Sequence, residues 1–273
     1  MRKETVTSIK NQKISKLVSL KEKSRERKSS GLFTVEGRRE CTHCLEGGYI
    51  PETLFICPEI FPETHSRAIL GMASELNPDV LAIEVTPEVY SRISMRDSTE
   101  GIVMEVRMKD KVLSGLSLPD NPLLIVFEGV EKPGNIGAVL RSADACGADA
   151  VIICDPACDF FNPNLIRASL GAVFTVPVAT ASSEECIEWL KHHKINILTA
   201  QLQDSVPYYS SDMTAPTAIV FGSEAEGLTG LWRKAARRHI RIPMLGRLDS
   251  LNVSVSAAIL MAEARRQRDL TTQ

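Results

Sequence analysis

Aromatic side chains are scarce: Phe, Trp and Tyr make up 5% of the 273 residues, too few for a ligand site walled mainly by rings. No apolar run is long enough for a membrane. Stretches such as 123–127 and 150–154 fall far short of the roughly 20 residues a transmembrane helix needs. The N-terminus, Met-Arg-Lys-Glu, continues into polar residues, so no secretory leader is expected and a cytoplasmic location is the default. In that compartment the seven cysteines are expected as small buried hydrophobes rather than disulfides. The one CxxC, Cys41-Thr42-His43-Cys44, lacks a second ligand pair at zinc spacing, so no metal is expected.

Hydrophobic residues at 44% and charged residues at 24% give a core-forming globular composition, and the length suggests two domains. The net charge of −2 conceals an asymmetry, since residues 1–28 hold ten Lys/Arg against three Glu. That segment reads as a basic arm with a weakly amphipathic helix, docking loosely or on RNA. Further basic clusters at Arg233, Lys234, Arg237, Arg238 and Arg241, and at Arg265, Arg266 and Arg268, point the same way.

From residue 29 to 107 strand and helix patterns alternate. Residues 32–36, 53–57, 81–85 and 101–107 read as extended, and 38–46, 63–76 and 87–93 as helical, a small α/β unit. Residues 108–121, rich in Ser, Gly, Pro and charge, read as a linker. Beyond it, apolar strands at 123–127, 151–154, 174–178, 195–200 and 218–221, separated by helix-length segments, predict a mostly parallel sheet covered on both faces across 122–273.

Ligands of such sheets collect at the carboxyl ends of the strands. Three loops there stand out. The first, 128–141, has glycines at a spacing that matches neither dinucleotide nor nucleoside-triphosphate loops. Asn135 in it is also a plausible helix cap, and Arg141 a plausible surface partner of Asp144, because the apolar stripe Ile136, Val139, Leu140, Ala143 leaves Arg141 to one side. The second, 221–228, carries Ser223 and Glu226 at capping-box spacing, yet its glycines bracket carboxylates as a ligand loop does. The third, 242–259, leads into a helix starting near Asn252.

Together, NIGAVLR at 135–141, FGSEAEGL at 221–228 and IPMLGRLDSLNVSVSAAI at 242–259 resemble the SpoU/TrmH branch of the SPOUT methyltransferases. The resemblance covers 122–268, and Phe33–Arg38 resembles the opening of the small substrate-binding domain that precedes many such enzymes. It implies an α/β fold whose C-terminal domain forms a trefoil knot, a homodimer with shared active sites, and S-adenosyl-L-methionine as cofactor. The implied activity is methyl transfer to a ribose 2'-hydroxyl of rRNA or tRNA.

By the same resemblance Arg141 is the catalytic arginine, acting across the dimer interface. A protonated arginine is suited to orienting and polarising the hydroxyl. Asn135, Glu224, Ser250 and Asn252 match polar active-site positions, and Gly222, Ile242, Met244, Leu251 and Asn252 cofactor positions. Lys13, Lys16, Arg38 and Arg167 are candidate RNA contacts. The rival readings are an RNA-binding knotted protein without catalysis and, more remotely, a dinucleotide-dependent oxidoreductase, which lacks its glycine fingerprint.

Overall fold

The computed structural model describes residues 1–95, 100–156, 158–247 and 250–271. The chain forms two compact units, Met1–Asp110 with Asp159–Thr175, and Lys111–Cys158 with Val176–Gln273. The expected division into arm, small domain, linker and continuous C-terminal domain is thus rearranged. Residues 159–175 leave the second unit and return to the first.

The first unit begins with β1 (Arg2–Val6), α1 (Gln12–Glu22), α2 (Ser24–Ser30), β2 (Leu32–Glu36) and α3 (Arg38–Glu46). It continues with β3 (Pro51–Ile56), α4 (Glu63–Leu76), β4 (Leu81–Val85), α5 (Pro87–Ile93) and β5 (Ile102–Arg107). The sheet order is β1-β4-β3-β5-β2, with β5 antiparallel to both neighbours.

Residues 1–28 are not an arm. Arg2–Val6 pairs along β4 as an edge strand, and Ile14, Leu17 and Leu20 on α1 are at most 1% exposed. Burying three such side chains contributes roughly 1.5–3 kcal/mol each. The α1 helix is capped by Asn11, whose side chain accepts from the Lys13 amide at 2.9 Å. Arg27, counted in the basic excess, is buried. Its Nε donates to Asp159 Oδ2 at 2.6 Å and its Nη1 to the carbonyls of Leu20 and Lys21.

The second unit holds β6 (Leu123–Glu128), α6 (Pro133–Cys146) and β7 (Ala150–Cys154). After β7 the chain supplies α7 (Pro163–Ala168) and α8 (Ala172–Thr175) to the first unit. The second unit resumes with β8 (Val178–Ala181), α9 (Ser183–His192), β9 (Asn196–Ala200), β10 (Val206–Pro207) and β11 (Thr217–Phe221). It ends with α10 (Gly230–Ala235), β12 (Arg238–Arg241) and α11 (Val253–Thr271). Residues 174–178, expected as one strand, split between α8 and β8. Phe174 joins Phe33, Tyr49 and Phe161 in an aromatic cluster, 5.1 Å from the Tyr49 ring centroid, and this packing outweighs local strand propensity.

The seven strands run β10-β12-β9-β11-β6-β7-β8, every pairing parallel. Every residue of β6, β7 and β11 is buried, as expected of a sheet covered on both faces. Because β11 lies between β6 and β9, and β12 beyond β9, the loops that follow these strands share one edge of the sheet.

The C-terminal basic clusters are largely spent on the fold. Arg268 is buried on α11 and donates to the carbonyls of Met213, Asn121, Pro122 and Ala215. Arg265 donates to the carbonyls of Cys146 and Gly147, where α6 ends, and Arg266 pairs with Glu263. Arg237 and Arg238 bond Asn196 and the Ser210 carbonyl, and Arg241 the Ser205 carbonyl. No described helix is long and apolar enough to cross a membrane.

Candidate active site

The loop after β6 enters α6 through Pro133, with Lys132 as the cap residue. Asn135 is therefore inside the first turn, and its expected capping role is not observed. Its side chain joins the other two loops instead. Asn135 Nδ2 donates to Glu224 Oε1 at 2.6 Å, and Asn135 Oδ1 accepts from Asn252 Nδ2 at 3.2 Å. Glu224 also accepts from Lys132 Nζ. Asn252 Oδ1 accepts from the Ser254 amide at 2.9 Å and its hydroxyl at 2.6 Å, at the start of α11.

One continuous network, Lys132–Glu224–Asn135–Asn252–Ser254, thus ties all three loops together. The Lys132 ammonium hydrogen-bonded to Glu224 holds its carboxyl below the usual glutamate range against the opposing cost of desolvation, and the Asn135 bond adds a lesser push in the same direction as Lys132. Glu224 is accordingly a fixed acceptor at neutral pH.

The capping-box spacing at Ser223 gives a turn, not a helix. Ser223 Oγ accepts from the Glu226 amide at 3.0 Å, the Gly227 amide donates to the Ser223 carbonyl, and α10 starts only at Gly230. The turn closes so tightly that a Cβ on Gly222 would lie 2.1 Å from the Gly227 carbonyl carbon and 2.4 Å from the Leu228 nitrogen. Gly222 is required there by space.

Beside the network lies a cavity of about 580 Å³ whose lining includes Gly222, Glu224, Ile242, Met244, Ser250, Leu251 and Asn252. All the cofactor residues expected from the sequence therefore meet at one place, together with Ser250 and Glu224. Leu248 and Asp249 of the third loop lie outside the described residues. Phe221, Leu228, Ile240 and Leu260 supply apolar wall. Glycine backbone, apolar surface and a few convergent polar groups in a space of this size suit a nucleoside with a polar tail.

Arg141 is exposed on α6 and takes no part in the network. It lies six positions after Asn135, about 9 Å along the helix and two-thirds of a turn around it. Within one chain it stands on another face from the cavity side of the helix.

The SpoU rRNA Methylase family matches residues 122–262, and an MRM3-like substrate binding domain matches 11–104. The chain belongs to the SpoU rRNA methylase family. It is 36% identical to the 23S rRNA (guanosine-2'-O-)-methyltransferase RlmB of Pseudomonas syringae pv. tomato, over 75% of this chain and 80% of that one. It is 25% identical to the 23S rRNA (guanosine(2553)-2'-O)-methyltransferase RlmP of Bacillus subtilis, over 95% of this chain and 98% of that one. An AdoMet-bound rRNA methyltransferase of Sinorhizobium meliloti is similar in structure, with a TM-score of 0.89 and 28% identity over 97% of this chain and 98% of that one.

In this SpoU chain the expected RNA contacts fare unevenly. Lys13 is paired with Glu4 on the adjacent edge strand, and Lys16 Nζ donates to the buried Glu105 at 3.3 Å. Both act inside the first unit. Arg38 is exposed and bonds His65 Nε2 at 2.8 Å. Arg167 is exposed on α7 and lines a cavity of about 310 Å³ in the first unit with Lys21, Arg39, Glu36 and Glu40. Sequence reasoning missed Lys132, Ser254 and the loop after β9. The last contributes Gln201, Leu202 and Gln203 to the large cavity, and nothing but its position after a predicted strand marks it.

Proposed function

We propose that this chain transfers a methyl group from S-adenosyl-L-methionine to a ribose 2'-hydroxyl of ribosomal RNA. The observation that carries the reading is the hydrogen-bonded network joining the three loops beside a nucleoside-sized cavity. The relatives support it, being named 23S rRNA 2'-O-methyltransferases, and so does the AdoMet-bound neighbour. The cofactor would be held by Gly222, Ile242, Met244, Leu251 and Asn252. When bound it supplies an already activated methyl group on a sulfonium.

What remains for the protein is to place the hydroxyl in line and to favour loss of its proton. Glu224, fixed as an acceptor, Asn135, Ser250 and Asn252 organise the loops around that position. Arg141 orients the hydroxyl and its neighbouring phosphate. Because Arg141 stands on another face of α6, the reading includes a homodimer in which each arginine serves its partner's cavity. A knotted path of the C-terminal segment and a cytoplasmic location belong to the same reading. RNA would be held on the first unit by exposed cations such as Arg38 and Arg167, with Lys13 and Lys16 contributing only where their ion pairs open.

The test is to map 2'-O-methylation across total RNA from cells with and without the gene. Disappearance of one rRNA position is the expected result. An unchanged rRNA profile overturns the reading.

A further inference from the structure

Among the described residues of the second unit Glu128 is the one buried carboxylate, and it closes β6 where the first loop begins. Neutral donors hold it. Its Oε2 accepts from the Thr229 amide at 2.8 Å and its Oε1 from the Thr229 hydroxyl at 2.7 Å. Ser183 Oγ also lies 3.2 Å from Oε1, but it accepts from Trp232 Nε1 at 3.0 Å and is nearer to Asp155 Oδ2, at 2.6 Å. The single Ser183 hydroxyl proton goes to that shorter bond, so the grip of Glu128 is on Thr229. Thr229 follows the second loop as the cap residue of α10, yet its side chain makes no capping bond there. The residue after Glu128, Gly129, sits beside the other end of that loop. Its amide donates to the Cys154 carbonyl at 3.1 Å, and a Cβ on it would stand 3.9 Å from Ser223 Cβ.

We propose that Glu128 is a positioning residue for methyl transfer, its carboxylate clamping Thr229 and so holding the second loop against the cofactor cavity. This rests on the cofactor reading above. Gly222 and Glu224 of the loop line the cavity and Glu128 does not, so Glu128 acts through the loop. The bonds of Glu224 to Lys132 and Asn135 pin the loop at its tip, and Glu128 pins the end that runs into α10. Hydrogen bonds to a carboxylate are shorter and stronger than neutral ones, and two of them on one residue fix direction as well as distance. Glutamine keeps this geometry without the charge. Its oxygen can take the amide proton while its nitrogen donates to the Thr229 hydroxyl oxygen, which accepts as well as donates.

The experiment uses the full-length protein, with calorimetric binding of S-adenosylhomocysteine and thermal unfolding of each variant. Glu128→Ala, measured well below its melting temperature, is expected to bind the probe roughly tenfold or more weakly, the loss of bonds to a charged group. Glu128→Gln should recover to within about threefold of wild type. Thr229→Val keeps the amide bond, loses the hydroxyl bond and should weaken binding roughly threefold to tenfold; where the alanine variant does not fold, this variant decides, and wild-type affinity in it overturns the proposal. Wild-type affinity in a folded Glu128→Ala, whatever its melting temperature, overturns the proposal while leaving the cofactor reading intact. Glu128→Gln as weak as Glu128→Ala overturns it too, since charge and not position would then be at work. Failure of wild type to bind S-adenosylhomocysteine at all overturns both.

Discussion

Asn135→Ala cuts the network that joins the three loops at its centre. It removes two hydrogen bonds, one to the Glu224 carboxylate at 2.6 Å and one from Asn252 at 3.2 Å. A bond to a charged group contributes about 1.5–3 kcal/mol and a neutral one about 0.5–1.5 kcal/mol. Asn135 is half-buried and Glu224 keeps Lys132, so water recovers part of the loss and a net of about 1.5–2.5 kcal/mol is the reasonable figure. If the network holds the three loops in register for reaction, that loss falls on the transition state. At about 1.4 kcal/mol per factor of ten it corresponds to a roughly ten- to sixtyfold slower methyl transfer.

The assay is kcat/KM with methyl-labelled cofactor and an unmodified rRNA substrate, with thermal unfolding measured alongside. Asn135→Asp sharpens the test. It keeps an acceptor for Asn252 but sets a second carboxylate against Glu224, and is expected to be at least as slow as the alanine variant at neutral pH. An alanine variant within twofold of wild type would refute the claim that the network organises the site.

Gly222→Ala should abolish cofactor binding by calorimetry, because its Cβ would meet the Gly227 backbone at 2.1 Å; wild-type affinity would show that the loop opens freely. Arg141→Ala should remove methyl transfer and leave cofactor affinity within twofold, and mixing it with Gly222→Ala should recover activity in heterodimers, where no recovery would mean that each site is built from one chain. Glu224 has a folded-state pKa below its ordinary value of 4.5, so its contribution is present above that value and is lost only as pH falls through the lower folded one; in Lys132→Met the NMR titration of the Glu224 carboxyl should move up, and an unmoved midpoint would contradict the assigned cause. Asp159→Asn leaves the buried Arg27 guanidinium without its counter-charge and should cost about 3–5 kcal/mol in the stability of the first unit, largely restored in Arg27→Met/Asp159→Leu; a loss under 1 kcal/mol would show the pair to be solvated.

The elements that could be read from the sequence are those in which one period dominates. The helix 38–46 and strands 32–36 and 81–85 fall where alternation and apolar spacing placed them, because their neighbours in the fold agree with local preference. Three places did not yield. Residues 2–6 are a charged edge strand and residues 238–241 a short charged strand between β10 and β9, and neither carries an apolar run to detect. Residues 172–175 are an apolar stretch whose period is ambiguous until the aromatic cluster of the first unit claims Phe174. The basic excess of residues 1–28 suggested an arm because charge is visible in a sequence and burial is not: Arg27 is inside, and Lys13 and Lys16 answer Glu4 and Glu105.

At the site, the expected cofactor residues line one cavity with Glu224 and Ser250, Asn135 joins them through Glu224 and Asn252, and Arg141 stands apart. The residue that fixes Glu224, Lys132, sits within the quoted first loop but has no signature of its own.

The central claim is that the three loops assemble one site for methylating a ribose hydroxyl. It is tested most directly by incubating the purified protein and methyl-labelled S-adenosyl-L-methionine with rRNA from cells lacking the gene, then digesting to nucleosides. The label is expected in a single 2'-O-methylated nucleoside, present with wild type and absent with Arg141→Ala. Label recovered on a base, or equal labelling by the Arg141→Ala protein, would contradict it.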